Sequence, residues 1–194
     1  MSQPTATREV EGITLPPAGT YEFDKSHTQV EFVSRHMLTK VRGRFTEFDG
    51  QITIGERPED SHVEVEIDAA SIQTNFEMRD NHLKSGDFLD VERFPTLTFR
   101  SKEIRLTGGN TFQIVGDLTI RDVTNEVVLD AEFDGSGPGL QGGMLAAFSA
   151  ATEIEREDWD MTWNMAVETG GLLVGKTVHI EIEVEALLPA EDAK

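Results

Sequence analysis

Apolar and polar residues alternate with a period of two along most of the chain. In residues 62–68, Val63, Val65 and Ile67 share one face, and residues 178–184 repeat the arrangement. Successive side chains of a β-strand point to opposite faces, so each run predicts a strand with one buried and one solvated face. There are about eight or nine such runs, without a sign of a second domain. The pattern predicts an all-β protein, either a closed antiparallel barrel or a sandwich.

One stretch, residues 75–90, departs from this alternation. Its mixture of apolar and ionisable residues predicts one helical segment near residues 76–85. We expect Thr74 or Asn75 to cap the first N–H groups, and Gly86 to end the helix in the left-handed conformation. A single helix among strands is either a plug or a lid, and we expect this one to cover one side or end of a cavity.

A barrel and a sandwich differ in the space that they leave inside. A barrel of about eight strands has an interior that side chains fill or that holds one small ligand. A sandwich core is expected to use larger side chains. Small residues on the presumed inner faces therefore favour a ligand-holding barrel, and these are Gly43, Gly116, Ala131, Ala147, Ser149 and Ala151.

The two ends of the chain are polar. Residues 1–18 end in two prolines and predict a mobile N-terminal arm, residues 19–188 form the predicted barrel, and residues 189–194 form a C-terminal tail. The N-terminus lacks the apolar run of a secretory signal, and no later segment has the length of a membrane span. We therefore expect a cytoplasmic protein that is not embedded in a membrane.

Charge and cysteine content narrow the function. The formal net charge is -19 and the sequence pI is about 4.5. Phosphate binding requires clustered Lys and Arg, so we expect no nucleic-acid partner. The chain has no cysteine, which excludes disulfides, thiolate nucleophiles and cysteine-ligated metals.

Several short motifs, taken in order, resemble those of the YceI family, the lipocalin-like polyisoprenoid-binding proteins. They are residues 24–32 (DKSHTQVEF), 43–45 (GRF), 48–50 (FDG), 71–74 (SIQT), 79–83 (RDNHL), 88–90 (FLD), 94–99 (FPTLTF) and 116–120 (GDLTI). The resemblance implies an antiparallel lipocalin-like β-barrel that encloses a long isoprenoid lipid. It implies no cofactor, with a polyisoprenoid or an isoprenoid quinone as the ligand. One departure is Asp160, which stands where relatives often have glycine.

A long apolar ligand requires an apolar lining and a few polar groups for its head group. Arg79 and His82, on the predicted helix, are candidates for the head group, although an ion pair between Arg79 and Asp80 is the competing interpretation. The remaining candidates are apolar, and each could equally belong to a packed core. They are Val30, Phe32, Phe45, Phe76, Met78, Leu83, Phe88, Phe99, Phe112, Leu118, Ile120, Phe148, Trp159 and Trp163.

Catalytic and metal sites are weakly indicated. Asp24, Ser26 and His27 suggest a catalytic trio, but neighbours on a strand alternate faces, so we expect a turn held by the Asp24 and Ser26 side chains instead. None of the five histidines forms a pair with metal-ligand spacing, and we expect no metal site.

Three functions stay open at this point. The first is storage or transport of an isoprenoid lipid without catalysis. The second is an enzyme acting on such a lipid, with His82 or His36 as acid or base. The third is a ligand-free interaction module, for which a homodimer through exposed strand edges is one form.

Overall fold

The computed structural model describes residues 7–10, 12–140, 142–166, 168 and 172–190. One α-helix, α1 (Glu77–Lys84), lies among the strands of this described part, together with short 3-10 turns such as Arg156–Trp159. The strands are β1 (Arg8–Val10), β2 (Ile13–Leu15), β3 (Gly19–Phe23), β4 (Gln29–His36), β5 (Thr39–Phe45), β6 (Phe48–Ile54), β7 (His62–Asp68), β8 (Ile72–Gln73), β9 (Thr96–Gly108), β10 (Thr111–Ile120), β11 (Val123–Pro138), β12 (Met144–Glu155) and β13 (Val174–Leu188).

The strands close into an eight-stranded antiparallel barrel in up-and-down order. Three of the eight strands are interrupted, and they consist of β3 with β4, β5 with β6, and β7 with β8. β3 pairs with β6 and β4 with β5, while β6 pairs with β7 and β5 with β8. The order continues through β9, β10, β11 and β12. β13 closes the ring by pairing with β12 on one side and with β3 and β4 on the other. The predicted barrel is confirmed, and the sandwich is excluded.

The interior contains two apolar clusters, one in each half of the barrel. The cluster nearest α1 includes Leu89 and Trp159, and the opposite cluster includes Ile13 from the N-terminal segment. Phe23 and Val63 contact both clusters, so they mark the boundary between the two halves.

A small hairpin covers the barrel end that is remote from α1. β1 and β2 pair with each other outside the barrel sheet. Ile13 and Leu15 are buried in the second cluster, and the Arg8 guanidinium donates to the Glu56 carbonyl oxygen at 2.8 Å. Burial of these apolar side chains explains why this segment folds back on the barrel.

The hairpin falls within the predicted N-terminal arm. It lies within residues 1–18, which the sequence predicts to be a mobile or loosely docked arm, and its two strands are β1 and β2. Residues 1–6 and 11 of that arm, and residues 191–194 of the predicted tail, lie outside the described residues. The mobility of the arm and the boundaries of the domain stay predictions.

α1 confirms the predicted helical segment, but its N-terminus is built differently from the prediction. Phe76 is the N-cap residue and makes no side-chain cap hydrogen bond. Asn75 takes a left-handed conformation with a φ of 61°. Thr74 donates its N–H to Asp80 Oδ1 at 2.8 Å, so a carboxylate from the helix reaches back to the preceding strand. Neither Thr74 nor Asn75 therefore acts as the cap.

The C-terminus of α1 also differs from the prediction. Ser85 is the C-cap with extended backbone, and its hydroxyl donates to the His82 carbonyl oxygen at 2.7 Å. The chain has thus left the helix before Gly86, and the left-handed residue comes later, at Asp90 with a φ of 49°. Among the described helices, none is long and apolar enough to cross a membrane.

The register of β12 is shifted by one residue from the prediction. Met144, Ala146 and Ile154 are buried, whereas Ala147, Ser149 and Ala151 lie on the other face. A shift of one residue moves every side chain of a strand to the opposite face. The sequence is apolar on both faces at the start of this strand, so alternation did not distinguish them.

Gly43 and Gly116 do face the interior, but aromatic rings occupy the space beside them. A Cβ built on Gly43 would lie 2.3 Å from the Phe32 ring, and one on Gly116 would lie 2.5 Å from the Phe99 ring. Small residues at these positions therefore accommodate rings and do not by themselves create a cavity.

Candidate functional site

The half of the barrel nearest α1 encloses a cavity of about 210 Å³. Its wall is almost wholly apolar and draws on nearly every barrel strand. The apolar wall residues of the barrel strands include Val30, Phe32, Phe45, Val65, Ile67, Ile72, Leu97, Phe99, Leu118, Ile120, Val127, Leu129, Ile154, Val178, Ile180 and Ile182. Such a space takes up apolar groups and excludes charged ones.

The strand register explains how distant residues meet at this wall. On β13, Ile180 lies opposite Phe32 of β4 on one side and Thr152 of β12 on the other. Val178 lies opposite Ser34 and Ile154 in the same way. Positions two apart on one strand share a face, so this alignment continues along the cavity.

α1 and the segment that follows it form one end of the cavity. Leu83, Phe88 and Leu89 line it, and the Leu89 N–H donates to the Leu83 carbonyl oxygen at 3.0 Å, which folds the segment back on the helix. Behind Phe88, the His82 ring packs edge-on against both Phe88 (5.1 Å between centroids) and Trp163 (4.5 Å). The helix therefore covers an end of the cavity through the residues at its C-terminus.

Four polar residues contribute to the wall, namely Glu31, Ser34, Thr152 and Arg156. Glu31 is paired with Arg42 at 2.7 Å. Arg156 is only 2% exposed, and its burial lowers the pKa of the guanidinium from its usual value. An arginine remains protonated despite such a shift. The apolar cavity therefore has a cation in its wall.

A second cavity of about 90 Å³ lies in the other half of the barrel. Its wall includes Leu15 of the N-terminal hairpin, Phe112, Ala131, Phe148 and Val184. This cavity is also apolar, but it is less than half the size of the first.

The model of the YceI-like domain matches residues 21–186, which is most of the chain. The chain belongs to the YceI family. A UPF0312 protein of Staphylococcus aureus strain N315 is 37% identical over 169 residues, which cover 85% of this chain and 95% of the relative. The UPF0312 relative and this YceI chain therefore align over nearly their whole lengths.

Solved structures share the YceI barrel. The crystal structure of the Campylobacter jejuni YCEI protein matches with a TM-score of 0.68 and 29% identity, covering 79% of this chain and 88% of that one. A polyisoprenoid binding domain from Saccharophagus degradans matches with a TM-score of 0.62 and 13% identity, covering 89% and 100%. The second likeness concerns the fold alone.

The structure distributes the predicted ligand-binding residues of this YceI chain over three places. Those at the wall of the first cavity are Phe32, Phe45, Leu83, Phe88, Phe99 and Leu118, together with Val30 and Ile120. Phe112 and Phe148 line the second cavity. The others, Phe76, Met78, Arg79, His82, Trp159 and Trp163, line neither cavity.

The six residues outside the walls lie in different surroundings. Phe76 and Met78 are 54% and 75% exposed, because they lie on the outer face of α1. Trp159 is buried in the core and donates Nε1–H to the Leu118 carbonyl oxygen at 3.1 Å. His82 and Trp163 support Phe88 from behind.

The cationic candidates for a head group do not reach the cavity. Arg79 donates Nε–H to Thr74 Oγ1 at 2.7 Å, which is a structural contact between α1 and the residue that follows β8. His82 Nε2 lies 2.9 Å from Asp87 Oδ2 outside the cavity. His36, the other proposed acid or base, is also absent from the wall.

Sequence reasoning missed Ser34, Thr152 and Arg156 as wall residues. Ser34 lies two residues from Phe32 on the same face of β4, but it is a small polar residue and was not among the predicted lining residues. Arg156 follows Ile154 at the next inward position, which continues the alternation of β12 past its end. The sequence prediction placed the opposite face of β12 inside, so it did not place Arg156 at the wall.

Asp24, Ser26 and His27 do converge, although at the surface. The Ser26 hydroxyl donates to Asp24 Oδ1 at 2.6 Å, and His27 Nδ1 lies 2.9 Å from Asp24 Oδ2. These residues form a turn between β3 and β4, as predicted, so the alternation of strand faces does not apply to them. Hydrogen bonds from Ser26 and then from His27 lower the pKa of Asp24 to about 2.

Glu185 joins this surface cluster. The ligand atoms of Asp24, His27 and Glu185 lie within 4.8 Å of one another. Exposed acidic groups commonly lie this close together without binding a metal ion. His27 is already hydrogen-bonded to Asp24. The cluster belongs to the turn between β3 and β4 and lies beside Glu185 of β13.

Proposed function

We propose that this YceI-family protein binds an isoprenoid-type hydrophobic chain in the first cavity and stores or transports it in water. The observation that carries the proposal is an apolar cavity of about 210 Å³ inside a closed barrel. A structural neighbour from Saccharophagus degradans is described as a polyisoprenoid binding domain, which supports the same ligand class. An isoprenoid quinone belongs to this class as well.

The size of the cavity bears on the length of the ligand. It exceeds the cavity of about 150 Å³ that takes up benzene in an engineered lysozyme. It is smaller than the pockets of roughly 300–1,000 Å³ that bury drug-sized ligands. A long isoprenoid therefore needs either displacement of wall side chains or a part of its chain outside the first cavity.

A binding experiment with two matched variants tests the proposal. Ile180→Phe fills the first cavity, and Val184→Phe, four residues further along the inner face of β13, fills the second. Overfilling costs each variant about 1–3 kcal/mol of stability. Each variant is therefore the other's control for an effect of lost stability on binding. Delipidated protein is titrated with geranylgeraniol, a prenyl alcohol, and binding is measured by native mass spectrometry.

We expect wild type and Val184→Phe to bind about one geranylgeraniol per chain, and Ile180→Phe to bind at least about tenfold more weakly, a loss of about 1.4 kcal/mol. Equal binding by the two variants would show that the ligand does not bind in the first cavity. The absence of binding to wild-type protein would contradict the proposed function.

A further inference from the structure

Large apolar side chains are exposed at the end of the barrel that holds the first cavity. Met37 and Leu38 form the turn between β4 and β5, and Leu38 is 89% exposed. Met165 and Leu172, in the segment before β13, are exposed as well. These four residues form what we call the rim surface. Single exposed apolar residues are normal, but several of them in one place mark an interaction site.

Backbone hydrogen bonds hold the two parts of the rim surface together. The Met37 N–H donates to the Leu173 carbonyl oxygen at 2.8 Å, and the Leu173 N–H donates to the Met165 carbonyl oxygen at 2.9 Å. Ala166 and Leu172 form an antiparallel bridge within the same segment. The four apolar side chains therefore belong to neighbouring segments of the chain and form one surface.

The rim surface adjoins the end of the first cavity. The Asn164 side-chain amide donates to the Val174 carbonyl oxygen at 2.7 Å, and Val174 lines the cavity. The preceding residue, Trp163, packs against the Phe88 ring of the cavity wall with 5.6 Å between the ring centroids. A partner that covers the rim surface therefore lies next to the interior in which we propose that the lipid binds.

The turn between β4 and β5 departs from the usual chemistry of two-residue turns. Met37 has a φ of 52°, in the left-handed region where Gly, Asn and Asp are favoured. Here two large apolar side chains occupy the turn, and neither belongs to an apolar cluster of the interior. A local rule that is broken without a gain in packing indicates a functional site. The apolar tip therefore suits contact with an apolar surface outside the protein.

The charge around the rim surface is opposite to the charge of the whole chain. Residues 32–46 and 161–176 together contain five Lys or Arg and one acidic residue, Glu168, whereas the whole chain has 17 Lys or Arg and 36 acidic residues. Arg35 lies opposite Lys40 beside the turn, and both are exposed. Neither of these two cations has an ion pair among the described residues.

Three acidic groups beside the rim surface are already paired with other cations. Arg42 pairs with Glu31 at 2.7 Å and also with Glu181. Lys176 pairs with Glu157 at 2.8 Å. Charges farther away than about 8 Å are largely screened at physiological ionic strength, so the local charge decides which surface approaches. The two cations beside the turn therefore keep their positive charge available for an anionic partner.

We propose that the rim surface docks on an anionic phospholipid bilayer. Apolar side chains flanked by cations bind such a bilayer because the apolar groups enter its interface while Lys and Arg attract its anionic head groups. Leu38 supplies the outermost apolar contact, and Arg35 and Lys40 supply the ionic contacts. This inference goes beyond the proposed function, since it identifies the surface through which the protein collects or releases its lipid.

Flotation with vesicles tests the apolar contact. The full chain is mixed with vesicles of phosphatidylcholine alone, or of phosphatidylcholine and phosphatidylglycerol in equal parts, and the vesicle-bound fraction is measured. Leu38→Ser removes the apolar tip. Leu140→Ser is the matched control, because Leu140 is also exposed but lies in the turn between β11 and β12, close to Met144 of the second apolar cluster.

A second pair of variants tests the ionic contacts. Arg35→Gln combined with Lys40→Gln removes two charges from the rim surface. Lys102→Gln combined with Arg105→Gln removes two charges from β9, on either side of Ile104, which lines the second cavity. Urea denaturation of each variant shows that it is folded before its vesicle binding is measured.

We expect wild type to bind the vesicles with phosphatidylglycerol at least about tenfold more tightly than vesicles of phosphatidylcholine alone. Leu38→Ser should bind the anionic vesicles at least about fivefold more weakly than wild type. The double variant of Arg35 and Lys40 should bind them at least about tenfold more weakly. Both controls should bind within about twofold of wild type, because their changes lie outside the docked surface.

Equal binding of wild type to the two kinds of vesicle would overturn docking, and so would equal losses in a variant and its control. Wild-type dimers that do not bind vesicles, and that Leu38→Ser converts to monomers, would assign the rim surface to a second copy of the chain instead. Titration with geranylgeraniol without vesicles separates the two proposals. If geranylgeraniol binds while docking fails, the docking surface is wrong and the proposed function stands. If vesicles bind and geranylgeraniol does not, docking stands and the proposed function fails.

Discussion

At the scale of single residues, close contacts between glycines and aromatic rings set the shape of the interior. A Cβ on Gly116 would approach both the Phe99 ring (2.5 Å) and the Arg100 carbonyl oxygen (2.6 Å). A ring can rotate away, but the backbone carbonyl belongs to the neighbouring strand and cannot. The glycine at this position is therefore required by the β9–β10 pairing as well as by the ring.

Gly116→Ala tests this contact. We expect a loss of about 1–3 kcal/mol in the free energy of unfolding, because overpacking forces the backbone to shift. Gly137→Ala is the control, since a Cβ there meets nothing within 4 Å. Urea denaturation of both variants measures the difference. Equal stability of Gly116→Ala and wild type would contradict the close packing of β9 against β10.

The surface turn at Asp24 makes a prediction about pH. The hydrogen bond that His27 donates to Asp24 raises the pKa of His27 from 6.5, and hydrogen bonds from Ser26 and then His27 lower the pKa of Asp24 from 3.8 to about 2. The stabilisation linked to His27 is therefore present below pH 6.5 and is lost as the pH rises through the folded-state pKa of His27. The stabilisation linked to Asp24 is present above pH 3.8 and is lost as the pH falls towards 2.

An NMR titration of His27 checks this assignment. In Asp24→Asn the pKa of His27 should fall towards 6.5, because its main partner is removed. In Ser26→Ala the pKa of His27 should stay raised, because Asp24 and Glu185 remain beside it. An unchanged His27 pKa in Asp24→Asn would show that the turn is not held by this pair.

At the scale of elements, the start of α1 is bonded to a buried residue of the barrel. Thr74 is 6% exposed and follows β8. Its hydroxyl donates to Asp80 Oδ1 and accepts from Arg79 Nε–H, and its carbonyl oxygen accepts from the second Arg79 donor at 3.0 Å. These bonds fix the start of the helix that covers the cavity.

Thr74→Val removes the hydroxyl while keeping the shape of the side chain. We expect a loss of about 1–3 kcal/mol, because the Asp80 carboxylate and the Arg79 guanidinium each lose a partner. Amide hydrogen exchange in α1 should accelerate more than exchange in β10. Thr162→Val, at an exposed position, is the control. Uniform exchange rates across the molecule would contradict a local role for Thr74.

The elements also show how far the sequence alone was informative. Strands with one apolar and one polar face, such as β7 and β13, were predicted with the correct faces because one side must be solvated. β12 was shifted by one residue because Leu145 and Ala147 made its outer face apolar as well. The end of α1 was placed at a glycine, whereas a serine hydroxyl bond ends it.

The residues of the cavity wall were predictable only where their position follows from the alternation of buried and solvated strand faces. Inward aromatic residues such as Phe32 and Phe99 were predicted at the wall and lie there. Composition did not distinguish Phe76 and Met78, which are exposed, from Leu83, which lines the cavity. Tertiary contacts decide which face of a short helix points inwards. Arg156 could not be placed without the register of β12.

At the scale of the whole molecule, the barrel carries two cavities along its length. Phe23 lines the first cavity and also contacts the second apolar cluster. Its ring packs closely over Gly50, with 2.5 Å to a Cβ built there. Phe23 therefore lies at the boundary between the two halves, and we expect its ring to limit how far an apolar chain extends from the first half towards the second.

Chain-length dependence tests this limit. For prenyl alcohols of increasing length, affinity should rise while each added methylene is buried, by at most about 0.8 kcal/mol each, and then level off. Phe23→Leu should move the plateau to longer chains. Phe45→Leu makes the same change at a wall residue that packs against the first cluster, and it should not move the plateau. Identical plateaus in all three proteins would contradict the role of Phe23.

The most direct test of the account is native mass spectrometry of the gently purified protein, followed by organic extraction of whatever is released. We expect a mass increase that corresponds to about one lipid per chain, and an extract that contains a prenyl chain. A mass that matches the bare polypeptide, both as purified and after incubation with excess geranylgeraniol, would contradict the claim that the first cavity holds a lipid.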